Sequence, residues 1–491
     1  MTPGAALQNG GAVPLAEIPV LDPGAFRRTV LDGVGSGCRV SSLFVAPLPD
    51  GPGIVAVLSD PGTGRIGIVS EAAEPEIPSL TPECPQVHAF EREMAELHGI
   101  RFTGHPWPKP VRGAAGKRSP ARLSEFFRIE GEEIHEVAVG PVHAGIIEPG
   151  HFRFQCHGET VLHLEISLGY QHRGIEPLLA SSGDATRMRL VETIAGDTTV
   201  GHATAYCAAL EGLGGTEVPA RAQVLRGIAL ELERLANHVG NLGALSGDIG
   251  FLPTQSFCGR IRGDILNLTA VLCGNRFGRG LIRPGGLSED VPGEETDRMA
   301  GALRDIVRDA EGAVGLLWET PSVLSRFEGT GTVDGATARE IGLSGPAARA
   351  CGVDADVRRD LPSGIYRMVH VPVSVWDTGD VLGRALVRWM EVQRSAAFVL
   401  EQLASLPGGP VWSPPGPPAA GSLSVSMTEG WRGEICHAVL TDAEGRPAAI
   451  KVTDPSLRNW LGLACAVRNQ QISDFPLCNK SFDLSYCGHD L

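Results

Sequence analysis

A stripe of apolar side chains constrains this chain more than any other feature. Between Arg221 and Leu245 they fall at Leu225, Ile228, Leu232, Leu235, Val239 and Leu242. Steps of three and four residues place all six on one side of an α-helix, which must bury that side against a second layer. A second stretch repeats the pattern, with Leu382, Leu386, Trp389, Val392, Val399 and Leu403 on or near one face of a helix over Asp380–Leu403. Two long one-faced helices in a chain of 491 residues imply a helical domain built around them. So long a chain also exceeds what one hydrophobic core supports, so a further domain is expected.

The other regions read differently. Residues 15–112 form an expected α+β module, in which the short apolar runs Ser42–Pro47 and Gly53–Leu58 precede a helix over Ala89–His98. The segment at 113–132 opens with small, polar and basic residues and reads as a linker. From 133 to 180 alternating runs, clearest in His151–Phe154 and Val161–Ile166, predict strands. His157 and His163 share a face only if one strand runs straight through Gly158. Residues 407–421 (PGGPVWSPPGPPAAG) cannot be helical. The class expected is therefore α+β: an N-terminal α/β module, a small β-rich entry region, and a mainly helical domain over 133–491.

Charge and motif content exclude several functions. A net charge of −15 argues against a nucleic-acid footprint and against direct docking on an acidic membrane surface. No apolar run reaches the ~20 residues of a spanning helix. Nor does a basic segment lead into an apolar one near Met1, so no secretory signal is expected. The 11 cysteines are scattered, which fits reduced thiols inside a cell. No CxxC pair is present, and Cys478 and Cys487 are the closest two. Taken alone, the residues therefore offer no dedicated metal site. No GxGxxG or GxxxxGK[ST] motif occurs, and the glycines and arginines of Gly274–Gly286 are only a weak loop signal. His143, Glu148, His151, His157 and His163 gather acid–base groups in the strand-rich region.

Several strings resemble one family. GPVHAGIIEPGHFRF (Gly140–Phe154), LGYQHRGIEPLL (Leu168–Leu179) and LRGIALELERLANHVGNLGAL (Leu225–Leu245) are similar to the large subunit of energy-converting [NiFe]-hydrogenases of the formate hydrogenlyase type. That subunit is homologous to the 49 kDa quinone-site subunit of complex I. The stretches Ala348–Pro362, Gly379–Val392 and Trp431–Glu434 extend the resemblance. Phe90–Arg112 resembles the complex I 30 kDa subunit, fused ahead of the large one.

The resemblance implies two CxxC pairs whose thiolates hold nickel and iron. It places the first in ETIAGDTTVGHATAY, at Ala195 and Thr198, and the second in SFDLSYCGHDL, at Ser485 and Gly488. None of the four is a thiolate, so no nickel–iron centre and no directly bound metal is expected. The complex I quinone tyrosine would fall near Gly196, and its second histidine near Ile147–Glu148; neither is retained in kind.

The leading reading is a nickel-free large subunit of a membrane-associated, ion-translocating complex. It would sit in the cytoplasm, held at the inner face of the membrane by its partners. Those partners would be an iron–sulfur small subunit carrying the cluster, a ferredoxin-like subunit and antiporter-like membrane subunits, with quinone as one acceptor the resemblance allows. The cavity residues implied are His143, Glu148, Asp197, His202, Arg432, His489 and Asp490 for acid–base work, and Thr198, Ser485 and Cys487 for contact with a bound group. Asp197 and His202 are expected to relay protons, and Arg432 matches a basic residue overhanging the family's site. Three other readings stay open: a scaffold without chemistry, a hydrogenase component with an atypical site, and an NADH-linked enzyme.

Overall fold

A computed structural model describes residues 4–113, 126–143 and 147–491. The core of the linker expectation, 114–125, lies outside the described residues. The chain is α+β.

The N-terminal sheet is a meander of Arg39–Leu48, Gly51–Asp60 and Arg65–Ala72, edged by Ala5–Leu7 and Val20–Leu21. Its central strand reads Ile54-Val55-Ala56-Val57-Leu58 without alternation because both faces are covered. Ile54, Ala56 and Leu58 pack beneath helices Pro23–Gly35 and His88–His98, with Phe26, Val30, Phe90 and Met94. On the other face, Val55 and Val57 meet Leu423, Val425, Met427 and Ala438 of a C-terminal sheet.

That second sheet is formed by Ser422–Gly430, Gly433–Thr441 and Pro447–Thr453. Its fourth strand is Gly11–Pro14, with Val13 paired to Leu423. The first residues of the chain therefore stitch the N-terminal module to the C-terminal sheet.

The helical layer holds Thr199–Leu213, Ala220–Asp248, Leu252–Cys273, Gly293–Glu319 and Val381–Ala404. Both amphipathic stretches are helical: the first runs beyond its expected span at both ends, and the second is displaced by one residue, with Asp380 as its N-cap. Ala220–Asp248 is central, and its stripe of Leu225, Ile228, Leu232, Leu235, Val239 and Leu242 is fully buried. No helix or strand lies between Ala404 and Ser422, as the prolines require.

The entry region is a three-stranded antiparallel sheet of Ile134–Val139, His151–His157 and Thr160–Ser167. The strand does not run straight through Gly158. The chain reverses there, at φ +54°, and pairs His157 with Thr160 and Gln155 with His163. His157 is left in contact with Glu133 at 2.7 Å on the exposed side. Among the described residues, no helix is long and apolar enough to cross a membrane.

Candidate functional site

The site forms where the N-terminus of helix Thr199–Leu213 meets the turn between two strands of the C-terminal sheet. The hairpin closing Ser422–Gly430 onto Gly433–Thr441 presents Trp431 and Arg432. Gly433 has φ +137°, and a Cβ there would lie 2.6 Å from Ser344 Oγ, so only glycine fits this turn. Arg432 grips Asp197 with both terminal nitrogens, donating to Oδ1 at 2.6 Å and Oδ2 at 2.7 Å. Its Nε donates to the Asp483 carbonyl. Trp431 Nε1 donates to the Asp197 carbonyl and to Thr198 Oγ1, both at 3.1 Å, and the guanidinium of Arg432 lies 3.9 Å from the indole centroid. Burial works against the Arg432 charge, but the Asp197 carboxylate outweighs it and holds the guanidinium protonated.

Beneath the loop, Glu233 reaches up from helix Ala220–Asp248. Its carboxylate accepts from Val200 N at 2.7 Å and Gly201 N at 3.1 Å, the unsatisfied amides of the helix start. Burial pushes Glu233 up to about 8, although those amides favour its charged form; neighbouring Asp197 adds to the rise.

The C-terminal tail closes the site. Ser485 caps the short helix Tyr486–Asp490, accepting from Gly488 N at 2.9 Å, while its own amide donates to Ser456 Oγ. Cys487 Sγ lies 3.4 Å from Ser485 Oγ and also meets Glu148 and the backbone of Gly196. Burial, reinforced by the Glu148 carboxylate, pushes the Cys487 thiol up to about 11, so it is protonated at neutral pH. Tyr486 N donates to Glu148 Oε2 at 3.4 Å. The entry-region loop, the Ala195–Thr198 segment and the tail therefore converge around one thiol. The terminus is docked: Arg173 N donates to the Leu491 carbonyl at 2.7 Å.

Not every expected residue joins this group. His143 contacts the Gly150 carbonyl at 2.9 Å and packs beside Phe152, with residues 144–146 of its loop outside the described set. His489 and Asp490 turn away from Cys487. Asp490 accepts from Gly169 N and Gln171 N at 2.8 and 2.9 Å, and His489 lines a cleft with Trp107 and Trp460. Residues two apart on a helix point about 200° from one another, which separates His489 from Cys487. Nor do Asp197 and His202 pair. Asp197 belongs to Arg432, whereas His202 points into the interior, 3.1 Å from Asp454 Oδ2 and 3.0 Å from His437 Nε2.

Glu233, Asp454 and His437 are absent from the sequence reading of the site. Only the position of His437, three residues past the Trp431–Glu434 string, hinted at its place. Asp454 matters for a steric reason too. A Cβ on Gly488 would lie 2.7 Å from its Cγ and from Oδ2. The carboxylate fills the space where any side chain at 488 would begin.

The chain is similar to several known proteins. A family model described as respiratory-chain NADH dehydrogenase, 49 Kd subunit, matches residues 248–419, and that of the 30 Kd subunit matches 54–116. The carbon monoxide-induced hydrogenase of Rhodospirillum rubrum is 32% identical over 350 residues, covering 71% of this chain and 97% of that protein. Formate hydrogenlyase subunit 5 of Escherichia coli is 29% identical over 438 residues, 85% of this chain and 77% of the relative. NADH-quinone oxidoreductase subunit 4 of Thermus thermophilus is 30% identical over 378 residues, 72% of this chain and 92% of the relative.

Proposed function

The chain belongs to the family of energy-converting hydrogenase large subunits and complex I 49 kDa subunits, and we propose that it works there without nickel. In this reading it is the large subunit of a membrane-associated electron-transfer complex. An iron–sulfur small subunit delivers electrons, a ferredoxin-like subunit feeds that cluster, and antiporter-like membrane subunits use the energy and hold the chain at the inner face of the membrane.

One observation carries the nickel-free reading: the Asp454 carboxylate occupies the space beside Gly488. The donor set agrees. Ala195 and Gly488 offer no ligand atom, Thr198 Oγ1 already takes part in bonds to Trp431 and Arg432, and Ser485 Oγ caps a helix. Cys487 is a neutral thiol bonded to Glu148 and Gly196, not one of a set of thiolates. A nickel–iron centre does not fit these residues.

What remains is a polar site with proton donors next to an electron supply. A quinone-like acceptor takes electrons and protons together to become a quinol. Glu148, the Cys487 thiol, Asp197 with Arg432, and Glu233 are the groups that would position it and hold its protons. They differ from the complex I arrangement, since Gly196 stands where its tyrosine would be. A scaffold role is the second reading, favoured by the closed Arg432–Asp197 pair and by Asp454 filling the old ligand space.

Elemental analysis of the purified subunit tests the first point. The expected result is no stoichiometric nickel after dialysis, and nickel retained at stoichiometric level overturns the proposal. Reduction of a water-soluble ubiquinone analogue by the complex, driven by dithionite-reduced viologen, tests the second; a complex that takes electrons from reduced viologen but never passes them to quinone excludes that acceptor.

A further inference from the structure

A cavity of about 520 Å³ opens between helices Thr199–Leu213 and Ala220–Asp248, walled by the turn Gly364–Arg367 and by strand Ser422–Gly430. That volume lies within the roughly 300–1,000 Å³ of ligand pockets. None of Asp197, Glu233, Arg432 and Cys487 lines it. Its wall nevertheless continues into the site. Met427, Thr428 and Glu429 line the cavity, and the same strand leads into the hairpin that carries Trp431 and Arg432. Asn9 fixes this wall from the start of the chain, donating to the carbonyls of Leu361 at 2.6 Å and Met427 at 2.8 Å.

Three polar atoms on residues of this wall have no hydrogen-bond partner among the described residues: Thr204 Oγ1, Thr428 Oγ1 and Arg226 Nε. Thr428 is 5% exposed and Arg226 8%, so bulk water does not complete them. Along strand Ser422–Gly430 the side chains of Leu423, Val425 and Met427 pack toward the N-terminal sheet. Alternation therefore turns Thr428 to the opposite side, where helix Thr199–Leu213 packs on the strand and carries Thr204. Buried polar atoms are nearly always paired, so three open ones around one cavity mark an occupant that supplies their partners.

The charges around the cavity say what that occupant is. Arg226 is closed by Glu211, donating to its two oxygens at 2.7 and 3.0 Å. Arg358 is closed by Asp356 at 2.6 Å and Glu231 at 3.1 Å, and Glu429 accepts from Arg349 at 2.8 Å. The exposed residues Arg367 and Glu217 add one charge of each sign. An ionic ligand would bring an uncompensated charge among closed pairs, which is costly, so a neutral one is favoured. Thr204 and Thr428 can each donate and accept, and Arg226 Nε only donates. The ligand must therefore be rich in oxygen. Tyr366, the one aromatic side chain among the described lining residues, is stacked on Phe398 at 5.6 Å and gives no pair of rings to hold a flat heteroaromatic ligand.

We propose that this cavity binds a neutral, polyhydroxylated small molecule of the sugar or polyol class. One ligand oxygen accepts from Arg226 Nε, and ligand hydroxyls exchange hydrogen bonds with Thr204 and Thr428. Leu230, Ile365 and Met427 offer an apolar surface to its carbon skeleton. The inference is independent of what the site reduces.

The test is saturation-transfer NMR on the purified complex, with glucose and myo-inositol as probes and citrate as the anionic control. Transfer to at least one neutral probe, and none to citrate, is the expected result. Thr428→Val removes one open hydroxyl and keeps the shape, so the complex assembles and binding weakens by about tenfold, the scale of one hydrogen bond. Ala208→Leu, which builds a larger side chain on the cavity wall, abolishes binding. Where Ala208→Leu fails to assemble, Thr428→Val decides alone. Absence of transfer to both neutral probes overturns the proposal. So does binding that Thr428→Val leaves unchanged, and so does transfer to citrate that Thr428→Val weakens, which would make the cavity an anion site.

Discussion

Glu231 and Glu233 lie two residues apart on one helix, are 0% and 8% exposed, and titrate in opposite directions. Glu231 faces a lattice of ions. It accepts from Arg234 at 3.0 Å, Arg358 at 3.1 Å, and the hydroxyls of Tyr366 and Ser395 at 2.6 Å each. Burial alone would raise its carboxyl, but Arg234 and Arg358 outweigh that and hold it at about 2. Glu233 faces the site, accepts from the two amides of a helix start, and is pushed up to about 8 by burial. The first is a permanent charge that joins helices; the second is a carboxyl that gains and loses a proton near neutrality. A buried acid is thus structural or chemical according to the face it occupies.

The largest effect is expected from breaking the structural side. Arg349 is 0% exposed and joins Glu391 at 2.6 Å to Glu429 at 2.8 Å. Arg349→Ala leaves both carboxylates buried without their shared cation. Removal of one partner from a buried pair costs about 3–5 kcal/mol, a large part of a domain's stability. The subunit should lose its cooperative unfolding transition or fail to accumulate in soluble form, as read by denaturant titration and yield. A variant as stable as the parent would mean that the lattice is dispensable.

A smaller effect with a distinctive sign separates the two glutamates. Glu231 has a folded pKa below its unfolded one, so its contribution is present above about pH 4.5 and fades as pH falls toward about 2. Glu231→Gln should therefore be destabilised at neutral pH, with the gap to the parent narrowing in acid. Glu233 is the reverse. Its folded pKa is raised, so the folded state holds the extra proton and stability drops as pH climbs from about 4.5 to about 8. Glu233→Gln cannot lose that proton, so its stability relative to the parent should rise across this window and level off above it. Parallel pH–stability curves for the two variants would erase the distinction.

How much of this was legible in the sequence follows from where each signal resides. The helix Ala220–Asp248 could be read because its burial repeats every three or four residues. The same stripe says nothing of Glu231 or Glu233, whose partners arrive from Tyr366, Ser395 and Val200. The pairing of Val13 with Leu423 was invisible, since no local pattern records which distant strand completes a sheet. Asp197, Thr198, Arg432, Ser485 and Cys487 were found through a resemblance between strings, and the structure brings those segments together. Asp454 and His437 were missed for the opposite reason: they matter only through what the fold lays beside them. His489 and Asp490, implied for the site by the same resemblance, face elsewhere: the helix turns His489 away from Cys487, and Asp490 is taken up by the amides of Gly169 and Gln171.

The smallest effect on stability should come from Asp197→Asn, and it bears most on function. The Asp197 side chain is 35% exposed, so water already weakens its attraction to Arg432. An asparagine keeps the shape and one acceptor for the guanidinium. The subunit should therefore fold, and the complex should assemble with its usual stoichiometry. What changes is local: Arg432 loses the anion that pins it over Trp431, and Glu233 loses a neighbouring negative charge, so its carboxyl should titrate lower. If the site handles protons during electron transfer, quinone-analogue reduction by the assembled complex should fall by about 100-fold, within the range of lost acid–base catalysis. Its pH optimum should shift toward acid as Glu233 ionises earlier. Normal turnover with an unmoved optimum would assign Asp197 to a purely structural clamp, place the site face in the same class as the Glu231 lattice, and leave the scaffold reading standing.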